Sequence, residues 1–299
     1  MAFAAPVLWA LVVLLDVYFV HRVYGKAQEA TVISGLFQGI VFLLIPFVGF
    51  TWPGNMAGLL FMAGGIAFAL HVLWYFKSMF IVRDGALVYI LANFSTIFVP
   101  ILAWIFIGES MNFSGYAGII LVFAGGVAIT WAGGIQKKNL TIIAKPMIPT
   151  VVFFSVGMIL QKRGYEITTT GFWPGFFLFS LGIVLGGILV FLFNNERKNL
   201  LGQIKSLSGK HGLVFIFAES LSVAGIWTSQ KAISLAPSVS LVAAIESLVP
   251  LFVMAGSLPI MFFYRDYAMD IYKKQIAGLG GKLVAIILIA TGIYLAVRG

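Results

Sequence analysis

Asp16, His71, Lys77, Asn93, Glu219 and Glu246 are polar or ionisable side chains set into or at the edge of long apolar runs, and they are the first candidates for chemistry. Asp16 lies in "VLLDVYFVHR" (13–22), within a run from Pro6 to Tyr24 that carries no other charge before His21 and Arg22. A carboxylate at the centre of a bilayer costs at least ~2.5 to 3.5 kcal/mol, so ionisable groups at that depth face a bundle interior or a polar cavity. Carboxylates and imidazole in such places carry protons, hold substrate groups, or lock helices together. Two roles are open for Asp16: coupling or substrate contact, and a structural pairing with Lys77 or His71. His71 is open to being a hydrogen-bonded core residue or a ligand. Glu219 and Glu246 have no charged neighbour one helical turn away, which favours function. Asn93 has the chemistry of helix–helix glue. Trp74, Tyr75, Tyr89 and Trp227 are candidates for an aromatic lining, weighed against the many aromatic residues that must face lipid.

The elements that position these groups follow from composition. Of 299 residues 61% are hydrophobic and 10% charged, against about a quarter charged in ordinary soluble domains. Apolar stretches of the roughly 20 residues that a spanning helix needs occur at 6–24, 30–50, 57–77, 85–107, 113–134, 146–163, 171–193, 212–232, 236–263 and 277–297. The expected fold is an all-α integral membrane protein with ten transmembrane helices. The first run lacks the basic flank of a cleavable signal and is long enough to remain as a helix.

The chain has no cysteine, which removes thiol chemistry and disulfides, and a net charge of +9. Its charge distribution argues for a membrane and against nucleic acid. Fifteen of the nineteen Lys and Arg fall on one side of the expected helices. Only Lys162, Arg163, Lys231 and Arg298 fall on the other. The richer side belongs in the cytosol, which puts both termini outside. "YRDYAMDIYKK" (264–274) reads either as a short helix on the inner membrane surface or as a solvated loop.

Counting ~1.5 Å per helical residue, Asp16 and His71 lie roughly 9 Å inside the cytosolic ends of their helices. Glu219 lies roughly 11 Å inside and Asn93 at similar depth. Lys77 closes the same side, and Glu246 is central. Pro100 and Pro250 locate a cavity independently: each removes an N–H and frees the carbonyl four residues earlier, on Thr96 and Glu246. Non-helical backbone at membrane depth is tolerated where it is buried in protein or lines a cavity, so Thr96 joins the candidates. A kink satisfied by a neighbouring hydroxyl is the plainer alternative.

The halves overlay. "FVHRVYG" resembles "ILQKRGY", "WYFKSM" resembles "TSQKAI", and "NFSTIFVPIL" matches "AAIESLVPLF", pairing Lys77 with Lys231 and Pro100 with Pro250. Five helices per half is odd, so the second half enters the membrane inverted, as in many transporters. The expected division is 1–136 and 146–299 as five-helix repeats joined by a loop at 137–145. "NFSTIFVPILAWIFIGESMNFSGYAGIILVFAGGVAI" (93–129), with its proline, Gly108, Glu109 and glycine-rich fifth helix, resembles the EamA-like branch of the drug/metabolite transporter superfamily. "SVSLVAAIESLVPLFVMAG" and "GGKLVAIILIATGIYLAV" are similar, and "LDVYF" is similar to the "LDKYL" opening of uncharacterised prokaryotic members. The second half departs from the pattern: no glutamate follows its ninth run, and Tyr264 to Lys282 form a charged insert. The resemblance implies a central cavity and alternating access, and no particular substrate.

"GLFQG" (35–39), "GFWPG" (171–175) and "GIVLG" (182–186) have close-packing spacing. No phosphate loop, HExxH or nucleophile elbow occurs, so no enzyme, cofactor or metal is expected. The expected activity is secondary transport of a small polar or amphipathic metabolite, driven by protons or exchange. Membrane lipid surrounds a monomer or weak dimer in the plasma membrane. The alternative is a lipid or lipid-linked-sugar flippase, with Lys77, Arg83 and Lys231 as a cationic site for phosphate.

Overall fold

The computed structural model describes residues 3–82, 85–132, 137–193, 202, 207, 211–263 and 279–298, which are helices and their connections with no strand among them. The insert at 264–274 and Arg83 lie outside the described residues. The helices are α1 (Ala4–Arg22), α2 (Ala27–Phe37), α3 (Ile45–Val48), α4 (Asn55–Val82), α5 (Gly85–Ala92), α6 (Ser95–Ile107) and α7 (Phe113–Ala132). They continue with α8 (Lys137–Ile167), α9 (Phe172–Leu192), α10 (Gly212–Leu235), α11 (Val239–Glu246), α12 (Val249–Phe263) and α13 (Leu279–Arg298).

Among the described residues, seven stretches are long and apolar enough to cross a membrane: α1, Ala27–Val48, α4, Ala144–Ile167, α9, α10 and Val239–Ile260. Shorter apolar helices at Ser95–Ile107, Phe113–Gly126 and Leu283–Ala296 occupy the remaining predicted runs. These segments are apolar on all sides, as lipid-bounded helices are, and leave Phe47, Phe113 and Phe193 more than four-fifths exposed. The chain is an all-α membrane protein.

The structure corrects four predicted boundaries. The run 85–107 is divided into α5 and α6 at Asn93–Phe94, and 236–263 into α11 and α12 at Ser247–Leu248. Side chains at these breaks supply the missing bonds. Asn93 O accepts from both the N–H and the hydroxyl of Thr96, and the Asn93 amide donates to Ser247 O at 3.0 Å, tying one break to the other. Each break precedes its proline, with Pro250 second in α12 and Pro100 inside α6. The run 30–50 starts at Ala27 and tightens into a 3-10 turn at Gln38–Leu44, where the Gln38 amide donates to Ser180 Oγ on α9 at 3.0 Å. The expected loop at 137–145 is instead the start of α8. "KKNLTIIA" contains no Gly or Pro to stop a helix, and Pro146 lies inside α8 with its carbonyl accepting from the Thr150 hydroxyl at 2.8 Å.

Two glycine seams set the closest packing. Across α4 and α9, a Cβ added to Gly182 would lie 2.2 Å from Met62 O, and one added to Gly65 would lie 2.0 Å from Phe179 O. Across α7 and α13, Gly118 and Gly292 have the same relation, at 2.4 and 2.5 Å from each other's carbonyl oxygens. Of the three sequence motifs, only "GIVLG" places both glycines in tight contact. Gly171 is instead the N-cap of α9 at φ +37°, and Gly39 meets nothing nearer than 3.9 Å. Elsewhere α1 packs on α10 and α12, α8 on α4 and α6, and α2 on α9. Gly182→Val is expected to lower the melting temperature by several degrees, since overpacking against backbone costs about 1–3 kcal/mol. Gly39→Ala should leave it unchanged. Thermal unfolding of the two purified variants provides the check.

Candidate functional site

The partners of the described carboxylates divide them into two groups. Glu29 accepts from the backbone N–H groups of Gly25 and Lys26, both at 3.1 Å, and caps α2. Glu109 accepts from the Val239 and Ser240 N–H groups at 2.9 and 3.2 Å and the Ser238 and Ser240 hydroxyls at 2.7 and 2.5 Å, capping α11. Glu166 pairs with Arg163 at 3.2 Å and lies 4.0 Å from Lys162. These three are structural. Asp16, Glu219 and Glu246 differ: each accepts from one side-chain hydroxyl, and none has an ion-pair partner among the described residues.

Asp16 and Glu219 line one cavity of about 70 Å³, room for two or three waters. Its walls come from α1 (Trp9, Asp16, Phe19), α2 (Ser34), the 3-10 turn (Gln38), α4 (Phe68, His71, Tyr75), α5 (Tyr89), α8 (Phe154) and α10 (Glu219, Ser222). The Tyr75 hydroxyl donates to Asp16 Oδ2 at 3.2 Å, and the Ser34 hydroxyl donates to Glu219 Oε1 at 2.5 Å. Both carboxylates line the same cavity, where like charges repel. His71 donates from Nδ1 to Thr150 O at 3.0 Å. A carbonyl can only accept, so Nδ1 carries the proton and neutral Nε2 is left as an acceptor.

Two smaller cavities of about 20 Å³ adjoin the first. One holds Glu246 with His71, Tyr89, Asn93 and Ser247; the other holds Gln161, Ser229 and Gln230. Trp9 and Phe154 line all three, which places them along one path. The Ser229 hydroxyl donates to Glu246 Oε1. Beyond Gln230 the path is closed. Gln230 donates to Gln161 and accepts from the Tyr165 hydroxyl at 2.9 Å, while Lys162 Nζ donates to Ala236 O at 2.7 Å. The Glu109 cap on α11 stands at the same end, whereas Asp16 lies toward the Arg22 end of α1.

The structure therefore brings together Asp16, His71, Tyr75 and Glu219, with Asn93 and Glu246 in the adjoining cavity. It does not bring in Lys77, Thr96 or Trp227. Lys77 Nζ sits 3.6 Å over the Trp74 ring, so the structural pairing of Asp16 with Lys77 is replaced by Tyr75. Thr96 is sealed against Asn93 O and lines none of these cavities. The Trp227 indole packs near Phe172, with its N–H buried and unpartnered. Lys231 Nζ lies 4.6 Å over Phe172, and neither lysine lines the cavity. Sequence reasoning missed Ser34 and Ser229, whose hydroxyls are two among several in their helices and give no signal of their own, and the Gln161–Gln230 pair. Among the described residues, no three His, Asp or Glu gather as metal ligands.

No family model matches the chain, and no curated protein does. A solved structure described only as "Crystal structure of protein" is similar at a TM-score of 0.53 and 15% identity, over 95% of this chain and 99% of that one. At that identity the likeness concerns the fold alone. It extends over the whole helical assembly.

Proposed function

We propose that the chain is a secondary transporter rather than an enzyme, moving a small polar or amphipathic metabolite across the plasma membrane by alternating access. Protons or exchange provide the drive. One observation carries this reading: a cavity with two carboxylates that lack a cationic partner among the described residues lies on a path blocked at its far end by polar side chains. A path closed at one end with chargeable groups along it is what a carrier needs in one of its states.

The finer architecture we propose is ten spans in two inverted five-helix repeats of the EamA-like type. Three features support it. The fourth and ninth runs are both broken a few residues ahead of their matched prolines. The pairs α4–α8 and α1–α10 correspond when the halves are exchanged, as do α6–α8 and α1–α12. The correspondence fails most clearly where α4 is joined to α9 by glycines, while α10 meets α2 through Ser34–Glu219 and Phe37–Phe215. Alternating access requires such a difference within each state. Against the flippase alternative, two of the three residues offered for its phosphate site, Lys77 and Lys231, lie over Trp74 and Phe172 and do not line the cavity.

Uptake into proteoliposomes across metabolite classes, with and without a pH gradient, tests the reading. Absence of transport for every class would overturn it. Orientation has its own expected result in this cysteine-free chain. Asn112→Cys should label with an impermeant maleimide in intact cells, and Lys26→Cys only after lysis. The reverse pattern would invert the topology.

A further inference from the structure

The cavity's chemistry specifies what it can hold, an inference that rests on the transporter reading. We propose that the Asp16–Glu219 cavity binds the ammonium group of an aromatic or amphipathic amine. The binding surface is rich in acceptors. Among the described residues, no Lys or Arg lines it. Asp16 Oδ1 and Glu219 Oε2 have no partner among the described residues, while their sister oxygens accept from Tyr75 and Ser34. The independent observation is His71. Its side chain is 92% buried, its proton is committed to Thr150 O, and its Nε2 lone pair has no partner in a ring that lines the cavity.

Four donors on the walls are committed, and the Trp9, Tyr89 and Ser222 donors face the same cavity. The Tyr75 and Ser34 hydroxyls serve the carboxylates, the Thr31 hydroxyl donates to Ala27 O at 2.9 Å, and Gln38 Nε2 donates to Ser180. A primary ammonium offers three N–H donors and one positive charge, matching two free carboxylate oxygens and one imidazole acceptor. The cavity as it stands has room for the ammonium group and a water or two, so the apolar body is received only when the rings of Trp9, Phe68 and Phe154 part toward the adjoining cavities, and the faces of aromatic rings attract cations within ~6 Å. An anion fares oppositely. It would meet two carboxylates, each of which repels it in a cavity that screens charge less than water does. A zwitterionic amino acid carries the same penalty on its carboxylate, with no Arg or Lys to offset it.

Phenethylamine, phenylalanine and phenylacetate share one ring and differ at the head group, so they separate these cases. Binding of each to the purified full chain in lipid nanodiscs is measured by calorimetry, for wild type, Glu219→Gln and Asp16→Asn. Phenethylamine should bind, phenylalanine at least tenfold more weakly, and phenylacetate not at all; either substitution should weaken amine binding at least tenfold. Because a variant can fail to fold, the wild-type protein also meets phenethyltrimethylammonium, which keeps the charge and loses every N–H donor. It should bind more weakly than the primary amine. Equal binding of phenylacetate or phenylalanine, amine binding that survives both substitutions, tighter binding of the quaternary cation, or no binding of any probe would each overturn the proposal. Proteoliposome uptake keeps the two inferences distinct. Amine binding without amine transport would count against the transporter reading alone, and transport of another class indifferent to both carboxylates would count against the amine alone.

Discussion

Glu219→Gln is expected to abolish gradient-driven accumulation while leaving the melting temperature unchanged or raised. Glu219 is 93% buried and its one described partner is a serine hydroxyl. A buried carboxylate without a cation carries several kcal/mol of uncompensated desolvation. The amide has the same shape and still accepts from Ser34, so the substitution removes that burden together with the repulsion from Asp16. Asp16→Asn should behave the same way, because the Tyr75 hydroxyl can donate to an amide oxygen. Exchange across the membrane should persist in both variants once the substrate concentration is raised to offset the weakened amine binding, since exchange needs a filled cavity and not the proton. A purely structural role makes the opposite prediction: a drop in melting temperature with normal driven uptake. Combining Asp16→Asn with Lys77→Met should show no rescue, because Lys77 lies over Trp74 and residues without shared partners have additive effects.

Glu109→Ala should produce the largest loss of stability among single surface substitutions. One carboxylate receives two backbone and two hydroxyl donors at the start of α11, the end at which a helix favours negative charge. Losing a cap costs about 0.5–2 kcal/mol, and hydrogen bonds to a charged group are worth about 1.5–3 kcal/mol each in favourable cases. A combined loss of about 2–4 kcal/mol follows, smaller for Glu109→Gln, which keeps one acceptor. The same contact ties α6 to α11 across the two halves of the chain. Its loss should therefore loosen the closed end as well as lower the melting temperature. Ser229→Cys placed in the Glu109→Ala background should react faster with a water-soluble maleimide than Ser229→Cys alone. A fall in stability without that change in reactivity would make Glu109 only a helix cap.

Most of the helical plan was legible because lipid leaves the backbone few options: a run of about 20 apolar residues must satisfy its own hydrogen bonds. Counting residues from the helix ends put Asp16, His71, Glu219 and Asn93 in one layer; the first three share a cavity, and Asn93 lines the adjoining one. The same arithmetic could not tell which way a side chain points. Lys77 has the correct depth but turns back over Trp74, four atoms of flexible stem allowing it. Thr96 was reached by assuming that the freed carbonyl marks the cavity. The chain instead breaks one turn earlier, where the Asn93 amide reaches another element's backbone, a bond that spacing within one helix does not reveal. Glu109 was visible only as part of a family ending, and its partner lies 130 residues away.

The glycine seam between α4 and α9 has a thermodynamic consequence. Bringing together an interface of Leu or Met side chains removes rotamer freedom worth about 0.5–2 kcal/mol for each residue ordered. Gly65 and Gly182 have no rotamers to lose. Closing this seam therefore carries little side-chain entropy, whereas ordering Phe37, Phe215 and the cavity wall between α2 and α10 carries a good deal. Warming should accordingly weaken the α2–α10 side more than the α4–α9 side, so temperature alone biases which face of the path stands open.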